Sequence, residues 1–179
     1  MADIVGEVWR IAEECGFSHI GELMVDTIKL RIEARQGCEV NKCGHYGKSW
    51  SCPPACGTLE DCDARLRKYK RGLLLQSTGQ MEDSFDYEAI EGTSRKHGEC
   101  FDILRNRLHE NYRDVFLIGG VCRQCGKCSY PDAPCRFPEK TSYSMEGLGM
   151  IVSEVCKDNN IPYYYGPNTI TFIGAVLLD

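Results

Sequence analysis

The sequence predicts a mixed fold, α/β (or α+β), in which a single sheet is flanked by helices and carries two cysteine-rich loops. Its 179 residues are the length of one domain, so residues 1–179 are interpreted as a single unit. Segments with helical spacing of apolar residues alternate with short apolar runs typical of strands. Most of the twelve cysteines fall in two segments rich in glycine and proline, the first cysteine loop (residues 37–62) and the second cysteine loop (residues 119–140).

The elements of the first half follow from apolar periodicity and from residues that start or end helices. In chain order they are a helix over residues 1–16 capped by Asp3, a strand over 19–25, an undecided segment over 27–35 and a helix from Thr58 to Gly72. The segment 27–35 stays open because its apolar residues alternate as in a strand, while Asp26 is a suitable helix cap. Thr58 and Asp61 have the spacing of a capping box, which predicts that a helix begins there.

The second half continues the alternation of helices and strands. Its predicted elements are a strand over residues 73–78, a helix over 86–112, a strand over 115–118, a helix from Ser142 to about residue 159, and strands over 163–165 and 169–178. Gly166, Pro167 and Asn168 predict the turn between the last two strands.

Composition excludes several classes of protein. The formal net charge of −5 argues against nucleic-acid binding, and the basic run at residues 65–71 is interpreted as a solvated helix end. Residues 1–16 have the pattern of a helix of the fold, not of a secretion signal, and the longest apolar run, residues 170–178, is too short to cross a membrane. A cytoplasmic protein without membrane insertion is therefore expected, and clustered cysteines in that compartment favour metal binding over disulfides.

The second cysteine loop has the spacing of an iron–sulfur site. Cys122, Cys125 and Cys128 form a Cys-x-x-Cys-x-x-Cys run, and Cys135 follows seven positions later. Such spacing lets a short loop wrap one 4Fe-4S cluster, whereas zinc sites more often combine two separate Cys-x-x-Cys pairs. A redox dithiol would leave two of the four cysteines unused. Arg136 is expected near the anionic cluster, as a cofactor-binding residue or as an ordinary solvated charge.

The first cysteine loop has more thiols than one cluster needs. Its candidate ligands are Cys38, Cys43, Cys52, Cys56 and Cys62. Either one cysteine is spare or one iron lacks a cysteine; Cys62 is the most natural core thiol, because it lies on the apolar stripe of the following helix, and Cys56 is the next candidate to be spare. Iron–sulfur is favoured over zinc, although the spacing is irregular.

Two more residues of the first cysteine loop, and three isolated cysteines, complete the candidates. Lys48 adjoins Cys52 and is a candidate cofactor-binding residue. His45 is either a ligand or a surface side chain. The cysteines outside the two loops are expected to be buried as small apolar residues: Cys15, Cys100 and Cys156.

Three segments carry a resemblance to a known family. Residues 43–54, residues 122–139 and the tripeptide at residues 144–146 resemble a prokaryotic family of cysteine-rich proteins described as predicted metal-binding, and the similarity runs from about residue 20 onward. The resemblance implies metal binding at seven cysteines: Cys38, Cys43, Cys52, Cys122, Cys125, Cys128 and Cys135. It implies no particular reaction.

The function expected from these observations is electron transfer to a redox partner protein through two 4Fe-4S clusters. One alternative is an enzyme whose first cluster has only three cysteine ligands, with a free iron that binds substrate and with Lys48, Tyr46 or His45 as acid–base groups. The other alternative is a structural zinc-binding module. Whether the protein is an enzyme is left open by the sequence.

Overall fold

A four-stranded antiparallel sheet forms the centre of the computed structural model, which describes residues 3–112 and 114–178. In the described residues the strand order is β1-β2-β4-β3. The strands are β1 (His19–Met24), β2 (Arg71–Gln80), β3 (Phe116–Ile118) and β4 (Thr169–Leu178). The two long strands pair over ten residues, from Arg71 opposite Leu178 to Gln80 opposite Thr169.

Helices cover both faces of this sheet. They are α1 (Ile4–Cys15), α2 (Ile32–Glu39), α3 (Leu59–Leu66), α4 (Tyr87–Asn111), α5 (Met145–Leu148) and α6 (Val152–Asp158), with 3-10 turns at Val25–Thr27 and Pro138–Lys140. The predicted class, a mixed fold with one sheet flanked by helices, is confirmed. None of the helices in the described residues combines the length and the apolar character needed to cross a bilayer.

The core has two parts because successive side chains of a strand point to opposite faces. In β2, Leu73 and Leu75 pack with α1 and α4 on the first face, whereas Leu74 packs with α3, α5 and α6 on the second face. The first cysteine loop joins α2 to α3, and the second joins β3 to α5. Both loops therefore lead into helices of the second face.

The helix predicted from Ser142 to about residue 159 is wrong. Ser144, not Ser142, caps a helix, and its hydroxyl accepts a hydrogen bond from the Gly147 N–H at 3.0 Å. That helix, α5, ends after one turn at Gly149, whose φ of 99° is left-handed, and α6 begins only at Val152. Ser142 has a different role, since its hydroxyl accepts a hydrogen bond from the Gly119 N–H at 3.0 Å.

Other element boundaries also differ from expectation. Residues 163–165 do not form a strand, and the undecided segment 27–35 contains both the end of a 3-10 turn and the start of α2. The side chain of Asp3 makes no capping hydrogen bond to α1. Helix α3 stops at Leu66, ahead of Gly72, so most of the basic run lies in the turn before β2. The capping box of Thr58 and Asp61 is confirmed.

Candidate metal centre

All twelve cysteines lie in the described ranges, and each is a free thiol. The isolated cysteines are buried, as predicted: Cys15, Cys100 and Cys156. In the second cysteine loop all four cysteines are half-buried. The first cysteine loop is graded, from the exposed Cys43 and half-buried Cys38 to the buried Cys52, Cys56 and Cys62.

The first cysteine loop folds back on itself through left-handed residues. Asn41 has a φ of 55°, and its side-chain oxygen accepts a hydrogen bond from the Tyr46 N–H at 3.0 Å. Gly47, at a φ of 66°, donates its N–H to the Pro53 carbonyl at 2.8 Å. Asparagine and glycine tolerate this backbone region better than other residues. The first bond closes a turn around Cys43, and the second holds that turn against the stretch with Cys52.

Cys38, Cys43 and Cys52 share one electrostatic neighbourhood. Partial burial raises the pKa of the Cys38 thiol, the Glu146 carboxylate raises it next, and the sulfurs of Cys43 and Cys52 add smaller increases. The Arg35 guanidinium acts in the opposite direction. Glu146 is distant in sequence from these cysteines, and the fold brings its charge within range of Cys38.

Cys56 and Cys62 form a buried pair next to two arginines, and the Cys56 N–H donates to the Cys52 carbonyl at 3.1 Å. The Arg35 Nη2 atom lies 3.2 Å from the Cys62 sulfur and donates to the Gly57 carbonyl at 2.9 Å. The hydrogen bond from Cys56, with help from Arg35 and Arg65, lowers the pKa of Cys62, whereas the same bond and burial raise the pKa of Cys56. Cys62 is thus the more acidic partner and Cys56 the less acidic partner of this pair.

The two arginines beside this cysteine pair are not neutralised by ion pairs in the part of the chain that the structure describes. Among the described residues, neither Arg35 nor Arg65 forms an ion pair with a carboxylate, and Arg35 Nε and Arg65 Nη1 are buried without hydrogen-bond partners. A buried guanidinium needs a compensating negative charge. The Cys62 sulfur, 3.2 Å from Arg35, is the group placed to supply it when ionised.

The second cysteine loop is held by backbone and side-chain hydrogen bonds on either side of its cysteines. Ser129 Oγ donates to the Pro134 carbonyl at 2.7 Å, and Arg136 Nη1 donates to the Lys127 carbonyl at 2.9 Å. The Cys135 sulfur lies 3.5 Å from Thr141 Oγ1. Arg136 thus spans the loop between its third and fourth cysteines.

The two cysteine loops touch each other. Trp50 Nε1 donates to the Ala133 carbonyl at 3.0 Å, and the Trp50 ring packs edge to face against Tyr130 at a centroid distance of 5.0 Å. A cavity of about 260 Å³ lies beside this contact and includes Cys56, Cys135 and Tyr143 in its lining. The Arg65 guanidinium stacks over the Tyr143 ring at 4.9 Å. The loops therefore form one connected region.

Other candidates lie outside these clusters. Lys48 and His45 are exposed, whereas Tyr46 and the buried Arg35 line a groove of about 380 Å³ between α2 and α3. Within residues 3–112 and 114–178, no group of three or more Cys, His, Asp or Glu side chains is arranged to hold a single metal ion. The loops provide thiol ligands without a preformed mononuclear site.

Sequence reasoning missed three contributors to this region. Arg35 is the last residue of the segment whose structure was undecided, so the apolar spacing did not predict that its side chain would be buried. Trp50 is adjacent to Cys52 in sequence, but nothing in the sequence pairs it with Ala133. Glu146 belongs to the tripeptide that carried the family resemblance, and this was the one signal that singled it out.

The fold and the thiol-rich loops together define a candidate metal-binding protein. A family model described as predicted metal-binding protein, DUF2284, matches residues 21–178, and the chain belongs to that family. No curated protein and no solved structure matches the chain. The resemblance to a predicted metal-binding family is thereby confirmed, and it covers both cysteine loops.

Proposed function

We propose that the protein binds two 4Fe-4S clusters, one on each cysteine loop, and transfers electrons between them and a redox partner protein. Membership of a predicted metal-binding family supports metal binding in general. Free thiols concentrated in two loops support iron–sulfur chemistry in particular, since cysteine thiolates are the usual ligands of such clusters.

The second cluster is assigned to Cys122, Cys125, Cys128 and Cys135. Three of these thiols follow one another at two-residue spacing and the fourth lies seven positions on, so one loop of half-buried thiols can hold a cubane, whose ligands bind different irons. The Arg136 guanidinium, fixed on the Lys127 carbonyl, adds a positive charge beside this cluster.

The first cluster is assigned to Cys38, Cys43 and Cys52, which share one neighbourhood. Cys56 and Cys62 are left out of this ligand set because the Cys56 sulfur contacts the Gly147 carbonyl at 3.4 Å and the Cys62 sulfur contacts Arg35 at 3.2 Å. Lys48 is exposed beside this site and provides a cation at its edge.

The contact between the loops is the observation that carries the electron-transfer proposal. Trp50 of the first loop is bonded to Ala133 of the second at 3.0 Å, so groups bound on the two loops are neighbours. When bound, a cluster accepts or releases one electron with little rearrangement because the charge spreads over several irons and sulfides. Two neighbouring clusters form a relay whose outer member exchanges electrons with a partner.

Metal and sulfide analysis of anaerobically purified protein tests this proposal. We expect about eight irons and about eight acid-labile sulfides per chain. Replacing Cys125 with Ser is expected to remove about half of both, whereas the control Cys15→Ala, at a buried thiol of α1, retains all of them. Stoichiometric zinc without labile sulfide would contradict the proposal and favour the structural zinc module.

One observation favours the enzyme alternative. The groove of about 380 Å³ between α2 and α3 includes Tyr46 and the buried Arg35, close to the first cysteine loop. An iron without a cysteine ligand at this loop would bind substrate there as a Lewis acid. A substrate-dependent change in the electron paramagnetic resonance (EPR) spectrum that is lost in Tyr46→Phe would support the enzyme; an unchanged spectrum leaves electron transfer as the function.

A further inference from the structure

The basic run at residues 65–71 concentrates positive charge in a chain that is acidic as a whole. It contains five Lys and Arg residues, and no acidic residue occurs between Asp63 and Glu82. Because the whole chain has a formal charge of −5 and this run has a charge of +5, the rest of the chain carries −10. The run therefore creates a local field whose sign is opposite to that of the remaining surface.

Most cations of this run are not neutralised by described carboxylates. Arg67 is the exception, since its Nη2 atom lies 2.9 Å from the Asp63 carboxylate and its guanidinium donates to two backbone carbonyls. Arg65, Lys68 and Lys70 form no ion pair within the described ranges. The side chains of Lys68 and Lys70 are exposed. These three residues, Arg65, Lys68 and Lys70, are called the basic patch.

The basic patch borders the first cysteine loop. Arg65 Nη2 donates to the Cys56 carbonyl at 3.3 Å, and both Arg65 and Lys68 line a hollow of about 350 Å³ together with Cys56. Asp61 also lines this hollow, but its carboxylate accepts a hydrogen bond from the Thr58 N–H at 2.8 Å in the capping box of α3. The carboxylate is thus held at the start of the helix.

The basic patch also borders the second cysteine loop. The Arg65 guanidinium stacks over the Tyr143 ring at 4.9 Å, and Arg65 and Cys135 both line the cavity of about 260 Å³ between the loops. Arg65 therefore lies where the two cysteine loops meet. A protein bound to the basic patch would lie beside both loops.

We infer that the basic patch is the docking surface for an acidic redox protein, a role that rests on the electron-transfer function proposed above. Opposite charge attracts such a partner to the patch, while the negative remainder of the chain repels it from other surfaces. A nucleic acid fits this surface less well. Its affinity depends on many phosphate contacts, and three cations within an acidic surface supply few.

Two inorganic oxidants of opposite charge test the basic patch in the cluster-loaded protein. Each takes one electron from protein that was reduced with dithionite and freed of its excess: anionic ferric EDTA and cationic hexaamminecobalt(III). In Lys68→Gln combined with Lys70→Gln, stopped-flow absorbance should show ferric EDTA reacting about fourfold more slowly at low ionic strength, since two charges about 10 Å away no longer attract it. Hexaamminecobalt(III) should react faster. Both differences should vanish near 1 M salt, where the Debye length is about 3 Å.

Binding of fluorescent polyglutamate, measured by anisotropy, gives a second readout that needs no cluster. The wild type should bind polyglutamate more tightly than the Lys68→Gln and Lys70→Gln double variant does. The control, Arg10→Gln with Lys96→Gln, removes the same charge from exposed positions of α1 and α4 and should keep the affinity and the rates of the wild type. Oligothymidylate that binds the patch more tightly than polyglutamate would assign it to nucleic acid and overturn the inference.

The outcomes separate the docking surface from the function on which it rests. Wild-type protein without labile sulfide overturns both. Wild-type protein with two clusters, whose rates and affinities change equally in the patch variant and the control variant, overturns only the docking surface. Since Lys68 and Lys70 are exposed, circular dichroism of their variant should match the wild type, which excludes misfolding as the cause of any change.

Discussion

At the residue scale, Arg35 is the least ordinary side chain of the protein. It is only 8% exposed, yet its positive charge faces the Cys62 sulfur at 3.2 Å and no carboxylate among the described residues. A buried charge without its partner is costly, whereas replacing both partners with apolar groups is often tolerated. Arg35 and Cys62 should therefore be coupled energetically.

A double-mutant cycle measures that coupling. Cys62→Val is expected to lower the free energy of unfolding by about 3 kcal/mol, because it leaves the Arg35 guanidinium buried and uncompensated. Arg35→Met together with Cys62→Val should be clearly more stable than the sum of the two single changes predicts. Denaturant unfolding gives the three values; simple additivity would refute the pairing, and loss of iron in Cys62→Val would show that Cys62 is a ligand.

His97 is the second residue whose environment controls its chemistry. It lies in α4 under the rings of Phe17 and Phe101, and its Nδ1 is 2.8 Å from Ser77 Oγ. Its Nε2 atom is buried without a partner among the described residues. Burial first, and the Arg123 charge second, lower the pKa of His97 from 6.5 to about 4. The fold therefore keeps this imidazole neutral.

The lowered pKa of His97 makes stability fall in acid. The unfolded chain binds a proton at His97 more readily than the folded chain does. The contribution of neutral His97 to the free energy of unfolding is therefore complete above pH 6.5 and is lost as pH falls toward 4. Between about pH 7 and pH 5 the wild type should lose about 2 kcal/mol more than His97→Phe does. Denaturant unfolding at both pH values tests this, with the exposed His109→Gln as control. Equal losses in wild type and His97→Phe would contradict it.

At the element scale, the packing of α4 on β4 requires glycine at position 174, where there is no room for a side chain. Gly174 of β4 faces the Ile118 carbonyl and the Phe101 ring, and a side-chain carbon at this position would collide with both. Neither the backbone of β3 nor the fully buried Phe101 can move away easily. The contact between α4 and the sheet is therefore intolerant of any larger residue there.

Two alanine substitutions test this contact. Gly174→Ala is expected to lower the free energy of unfolding by about 2 kcal/mol through overpacking. Gly92→Ala, in the same helix-on-sheet unit but with open space around the new methyl group, should raise it by about 0.5 kcal/mol because alanine favours the helix. Thermal unfolding measures the stability of both variants. A Gly174→Ala variant as stable as the wild type would mean that α4 is not packed closely on β4.

The elements differ in how well the sequence predicts them. Long segments with a clear apolar period, such as α4 and β4, are predicted nearly to their ends. The region from Ser142 to residue 159 is not, because α5 and α6 share one apolar stripe and only the left-handed backbone at Gly149 separates them. A glycine inside a helical pattern does not show by itself which conformation it adopts.

The cysteine loops were found from their composition, but their partners were not. Spacing along the chain identifies thiols that lie close in sequence, such as Cys122 and Cys125. It contains no information on Glu146, whose charge acts on Cys38 because α2 packs against α5, nor on Trp50, which bonds to Ala133 across the loops. Contacts between distant segments depend on the tertiary fold, which periodicity does not encode.

At the scale of the whole molecule, the two faces of the sheet carry different sets of helices. The first face carries α1 and α4 in an apolar cluster that includes His97's neighbours Phe17 and Phe101. The second face carries α3, α5 and α6, and the first cysteine loop leads into it. The second cysteine loop also reaches α4 on the first face, where the Arg123 guanidinium lies against Gly98 and the Glu139 carbonyl lies 3.1 Å from His109 Nε2.

The position of β4 has a consequence for how the protein is made. This strand lies between β2 and β3 and pairs with both, although it is formed by residues 169–178. During synthesis, both cysteine loops leave the ribosome before the strand that joins their supporting elements exists. We therefore expect the two cysteine loops to reach their final arrangement only after β4 has paired, and chains that stop before β4 to expose thiols and apolar surfaces that the folded protein covers.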